Sequence, residues 1–107
     1  MSNIHVPHLN TFFFPVPDGQ WIRLAEDRHR TFFAIQDREV TDIHIWVGAN
    51  PSANTDEWFS IGGTDQIDIM YLPKGVYGPI YIAESGGGAG EVSILSSITE
   101  VAETITP

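Results

Sequence analysis

A chain of 107 residues that is 42% hydrophobic and 11% aromatic has enough apolar surface for one core, and too much of it for a disordered chain despite a net charge of −9. That acidity, with 5 basic against 14 acidic residues, argues against nucleic acid as a direct ligand, since affinity for phosphates comes mainly from Lys and Arg displacing counterions. Without Cys there are no disulfides, thiolate nucleophiles or Cys-ligated metals. No run is long enough to span a bilayer, and the start of the chain lacks a secretory signal pattern, so a soluble protein made in a cytosol is expected.

In chain order, residues 1–18 read as an N-terminal arm. Pro7, Pro15 and Pro17 interrupt it, and Pro cannot donate to a ladder, so the segment should be extended, at a sheet edge or outside the sheets. Phe12, Phe13 and Phe14 need cover on both faces. Two readings are open: a first strand folded onto its own core, or an arm docked on a neighbouring subunit. A strand follows at 20–25, with Ile22 and Leu24 opposed to Trp21 and Arg23. Another at 30–36 offers Phe33 and Ile35 on one side and Phe32 and Ala34 on the other, as expected of a central strand buried on both faces. At 42–47, Ile43, Ile45 and Val47 point inward and Asp42, His44 and Trp46 outward.

Residues 48–56 have loop composition, of a length that is often functional or interfacial. A short strand at 58–61 is closed by Gly62 and Gly63. The next, at 66–72, sets Ile67, Ile69 and Tyr71 against Asp68 and Met70. Residues 78–95 read as a β-hairpin, with Ile80 and Ile82 on one arm, Val92 and Ile94 on the other, and Gly86, Gly87, Gly88 and Gly90 forming the turn. Residues 97–107 suit either an edge strand or a tail. No helical period of credible length occurs. The expected fold is therefore all-β: a single antiparallel β-sandwich or jelly-roll-like domain over 19–96.

Chemistry is sparse. His5 and His8 have a spacing that could place two ligands on one metal, but a zinc site needs three or four. The close carboxylate pairs Glu26 and Asp27, Asp56 and Glu57, and Asp65 and Asp68 read as solvated loop charge, because acid–base catalysis needs two groups across a cleft in unlike environments. No nucleophile elbow or phosphate-binding loop is present. An enzyme is not expected, nor a metal or cofactor. The charge is uneven: residues 1–38 sum to zero, with Arg23, Arg28, Arg30 and Arg38 against four carboxylates, and Lys74 is the only later base. Trp46 and Trp58 are the two aromatics placed to act as a sugar-stacking platform, although subunit contacts account for the same residues.

Four stretches carry a resemblance: Arg-Thr-Phe-Phe-Ala-Ile-Gln-Asp at 30–37, Asp-Ile-His-Ile-Trp-Val-Gly at 42–48, Ile-Asp-Ile-Met-Tyr-Leu-Pro-Lys-Gly at 67–75 and Gly-Pro-Ile-Tyr-Ile-Ala-Glu-Ser-Gly-Gly at 78–87. Their order resembles small all-β virion proteins of tailed bacteriophages, including capsid decoration or cement proteins, over roughly two thirds of the chain. Position 37 is Asp where such sequences more usually have Asn. The resemblance implies a homotrimer or homodimer on the capsid exterior, binding the major capsid protein and stapling neighbouring capsomers, with no substrate or cofactor. Candidate contacts are Phe12, Phe13 and Phe14, Trp46 and Trp58, and Arg28, Arg30 and Arg38, the arginines pairing with an acidic partner. Removal of residues 1–14 is then expected to leave a folded domain that no longer binds capsids. The alternative is a carbohydrate-binding or host-recognition module of a fibre or tail accessory.

Overall fold

Strands with one apolar face are stable only when that face is covered, and in this chain two sheets cover each other. The computed structural model describes residues 9–38, 42–62, 69–84 and 89–107. It contains strands β1 (Asn10–Val16), β2 (Trp21–Leu24), β3 (Phe33–Asp37), β4 (Ile43–Val47), β5 (Phe59–Ile61), β6 (Ile69–Leu72), β7 (Ile80–Glu84), β8 (Gly90–Ser96) and β9 (Ala102–Ile105), with one 3-10 turn at Thr55–Glu57. A four-stranded sheet has the order β1-β8-β3-β6 and a five-stranded sheet the order β5-β4-β7-β2-β9. Every strand pairing is antiparallel. The expected all-β sandwich is what the chain forms.

The core lies between the sheets. Ile22, Leu24, Ile43, Ile45, Ile80 and Ile82 of the five-stranded sheet meet Val16, Phe33, Ile35, Val92 and Ile94 of the four-stranded sheet, all of them buried. Each such side chain contributes about 1.5–3 kcal/mol on removal from water. The alternation read from 20–25 and 42–47 is borne out, and β3 is an inner strand as expected.

Two readings need correction. Residues 78–95 are not a hairpin: β7 and β8 belong to different sheets and pack face to face across the core. A period of two says that one face of each arm is buried, but not whether the arms bond sideways or stack. Gly86, Gly87 and Gly88 lie outside the described residues. Gly90 is no turn glycine but the first residue of β8, where a Cβ would come within 2.8 Å of Glu84 Cγ.

Second, residues 10–16 are not a free arm. β1 pairs with β8 along its whole length, at the edge of its sheet, which is where Pro15 can be accommodated. Phe12 and Phe14 face inward and pack on the core, stacked at 5.6 Å, while Phe13 points outward. Of the two readings of the Phe run, the first strand is correct for Phe12 and Phe14. In β6 Ile69 and Tyr71 stand opposed to Met70 as read from the sequence, with Met70 and Leu72 inward and Ile69 and Tyr71 facing solvent. Ile67 and Asp68 lie outside the described residues. The C-terminal segment, left open between edge strand and tail, supplies β9 at the edge of the five-stranded sheet.

At one end of the sandwich sits a buried ion pair. Arg30 and Glu100 side chains are each 1% exposed. Arg30 Nη2 donates to Glu100 Oε1 at 2.6 Å and Nε donates to Oε2 at 2.8 Å, a bidentate fork. Ser96 Oγ donates to the same carboxylate at 2.7 Å, and the remaining Arg30 donors reach the carbonyls of Ala25 and Tyr77. Arg30, taken from the sequence as a surface contact for an acidic partner, is therefore internal.

Three outcomes follow from this packing. Glu100→Ala strands a buried guanidinium and is expected to cost about 3–5 kcal/mol in urea unfolding. Glu103→Ala, which breaks the exposed 3.2 Å pair with Arg23, should cost under about 1 kcal/mol. Deletion of residues 1–14 removes most of β1 and bares the edge of β8, so the truncated chain should be insoluble or unfolded by gel filtration and circular dichroism, contrary to the expectation from an arm.

Candidate functional site

With the inner faces closed on each other, function falls to the two outer faces and the sheet edges. The outer face of the five-stranded sheet follows from its register. Across one row stand Ile105, Trp21, Ala83, His44 and Ser60; across the next stand Glu103, Arg23, Tyr81 and Trp46. Ala83 leaves a gap between its larger neighbours, and Trp58 fills it from the loop that follows β4. Its ring meets Trp21 at 4.8 Å and Trp46 at 5.9 Å, and its Nε1 donates to the carbonyl of Ser52 at 2.9 Å. Asn54 caps the 3-10 turn ahead of it by accepting from the Asp56 amide. The result is a second, smaller core on the outside of the sheet, with Trp21 and Trp58 8% and 6% exposed.

This arrangement disposes of Trp58 as a sugar platform, because its faces are occupied. Trp46 is half-buried against it. Beyond the Trp cluster, Arg23 donates to the Tyr81 hydroxyl at 3.2 Å and pairs with Glu103. The Tyr81 hydrogen bond, with the nearby Glu103 charge, raises the Arg23 pKa above its ordinary value. These are the contacts of a closed surface.

The outer face of the four-stranded sheet is different. One row runs Thr11, Leu95, Ala34, Tyr71 and the next Phe13, Ser93, Gln36, Ile69. No element among the described residues lies over it. Tyr71 is 64% exposed and Phe13 58%. Between Tyr71 and Thr11 the small Ala34 forms the floor of a groove of about 380 Å³ that reaches all four strands. The Tyr71 ring meets Phe32 edge to face at 6.1 Å, which holds it upright at the groove wall.

Arg38 closes the β1 side of this face. Its guanidinium lies 4.8 Å from the Phe13 ring centroid, pairs with Glu91 at 3.2 Å and donates to Ser93 Oγ at 3.0 Å. Arg28 is exposed on the turn between β2 and β3. Of the eight residues singled out from the sequence, Phe13, Arg28 and Arg38 are exposed, Trp46 is partly so, and Phe12, Phe14, Arg30 and Trp58 belong to the interior. The groove residues were missed. Their only signal was Ala34, a small residue at an outward position of a strand otherwise built from bulky ones.

His5 and His8 lie outside the described residues, as do Asp65 and Asp68. Among the described residues no group of three or more His, Asp or Glu is placed to hold a metal ion. His44 Nδ1 is 3.0 Å from Ser60 Oγ on the open edge beside β5. Asp27 accepts from the His29 amide, and Asp56 and Glu57 are exposed on the 3-10 turn, as solvated loop charges are.

No family model, curated protein or solved structure matches the chain. The geometry itself defines a class: an antiparallel all-β sandwich with one outer face capped by its own loop and the other uncovered by any described element. Because Trp58 is a packing residue, Trp58→Ala should destabilise the fold by about 3–5 kcal/mol in denaturant titration and lower the melting temperature, whatever the protein binds.

Proposed function

We propose that this is a structural virion protein of a tailed phage, a capsid decoration protein that sits on the capsid exterior, binds the major capsid protein and contacts further copies of itself. The observation that carries this reading is an exposed aromatic on an edge strand of each sheet. Phe13 projects from β1, 58% exposed, and Phe59 projects from β5, 70% exposed. A protein that staples neighbours needs at least two separate contact surfaces, and exposed apolar side chains at edges mark them.

The two surroundings suit different partners. Phe13 is flanked by Arg38 and Glu91, a charged rim around an apolar anchor, which is the usual anatomy of a protein contact. Phe59 overhangs the sandwich. It is in register with the buried Ile45, yet β5 is the last described strand of its sheet, so no neighbour strand among the described residues covers its ring. A hollow of about 220 Å³ beside it is lined by Ile45, Val47 and Glu57. The resemblance of 30–37, 42–48, 67–75 and 78–87 to virion proteins supports the same reading.

Phe13→Ser and Phe59→Ser change exposed residues and should leave the melting temperature nearly unaltered. Each should weaken co-sedimentation with undecorated capsids by at least about tenfold, since a buried Phe anchor is worth upwards of 1.4 kcal/mol. Decorated capsids should resist heating better than bare ones, and capsids mixed with the double variant should behave as bare. Undiminished decoration by the double variant sinks the proposal.

A further inference from the structure

The geometry points to a second function that the edge contacts do not use: the groove on the outer face of the four-stranded sheet is a binding site for a neutral oligosaccharide. Three observations bear on the ligand. The first is charge. In a chain of net charge −9, the residues lining the groove are all uncharged, so a neutral ligand is favoured over an ionic one.

The second is the wall. A pyranose presents a patch of C–H groups on one face, and an exposed aromatic ring of fixed orientation is the side chain that accepts it. Tyr71 is 64% exposed and braced by Phe32, and its hydroxyl adds a polar handle at the rim. The third is the mixed lining. On a floor of Ala34 and Leu95 the groove carries Thr11 of β1 and the cross-strand neighbours Ser93 and Gln36 of β8 and β3, which add two hydroxyls and an amide of the kind that sugar hydroxyls pair with. Ala34 supplies the depth. The groove crosses three strand spacings, roughly 14 Å, the span of a short oligosaccharide rather than a single ring. Its volume of about 380 Å³ lies within the range of small-molecule sites.

A wholly apolar peptide fits less well, because it would strip water from Thr11, Gln36 and Ser93, whereas a sugar offers C–H surface to Leu95 and Tyr71 and hydroxyls to those three. The Trp cluster of the opposite sheet, the platform that the sequence suggests, is closed by Trp58.

The test is a nuclear magnetic resonance titration of the intact protein with maltohexaose, cellohexaose and mannohexaose. At least one should give saturable shifts at Tyr71, Gln36 and Ser93. Tyr71→Ala should then weaken binding by about tenfold or more, Tyr71→Phe should keep it within about threefold, and Ala34→Leu should block it by filling the groove. Circular dichroism checks the fold of each variant. No saturable shift with any of the three at millimolar concentration overturns the inference, as do shifts centred on Trp46 and Tyr81. Loss of capsid co-sedimentation in Tyr71→Ala without sugar binding makes the groove a protein contact and overturns it equally. Phe13→Ser and Phe59→Ser should leave sugar binding intact, so this inference and the decoration reading fail separately.

Discussion

The fork between Arg30 and Glu100 is the constraint on which the rest of the sandwich depends. Taking two charges out of water is costly, and their attraction offsets that cost only when the remaining hydrogen-bonding capacity is filled. Here it is filled by the chain itself. The carbonyls of Ala25 and Tyr77 accept from Arg30, and Ser96 donates to Glu100, so the stretches after β2, before β7 and after β8 all meet at one point. These stretches belong to both sheets. Loss of either partner would leave a buried charge unpaired, so the connections that carry Arg30 and Glu100 must meet for the sandwich to close. The pair also dictates Gly78, which has φ +90 and where any Cβ would lie 2.8 Å from Arg30 Nη1.

Much of this was legible in the sequence, and what was not has a physical reason. Alternation gave β2, β4, β7 and β8 with their inward residues, because one-sided burial is a local property. Pairing is not local. The arms at 80–84 and 90–96 have the pattern of a hairpin, and the same pattern serves two strands that face each other across a core. Arg30 sits in a polar stretch and looks like a surface residue; its partner is 70 positions away, beyond any periodic signal. In β6 both faces are apolar, so hydropathy could not choose between Met70 with Leu72 and Ile69 with Tyr71. The Phe run hid its period for the same reason, since all three residues are alike and only their neighbours on β8 distinguish them.

The candidate site was read less well than the fold. Trp is the strongest stacking residue, and Trp46 and Trp58 drew attention for that reason, yet a large ring is also what a small sheet uses to cover its outer face. The deciding residue is Ala83. Being small and flanked by Trp21 and His44 in its row, it opens the space that Trp58 occupies. Ala34 opens a comparable space on the other sheet, and there no described element fills it.

That asymmetry gives the two proposals separate places on the molecule. Phe13 and Phe59 lie on edge strands, where a contact can extend away from the sandwich without crossing either broad face. The groove lies inside its sheet, between Thr11 on one edge strand and Tyr71 on the other. Phe13 stands one row away from Thr11, held over by Arg38, so an edge contact at Phe13 borders the groove without covering Tyr71. A protein anchored by its edges can therefore keep this face turned outward. An exposed aromatic face is ordinarily a liability for a soluble chain, and the uncharged Thr11, Ser93 and Gln36 that share the groove with Tyr71 give water partners there, which a ligand with both C–H and hydroxyl surfaces would replace.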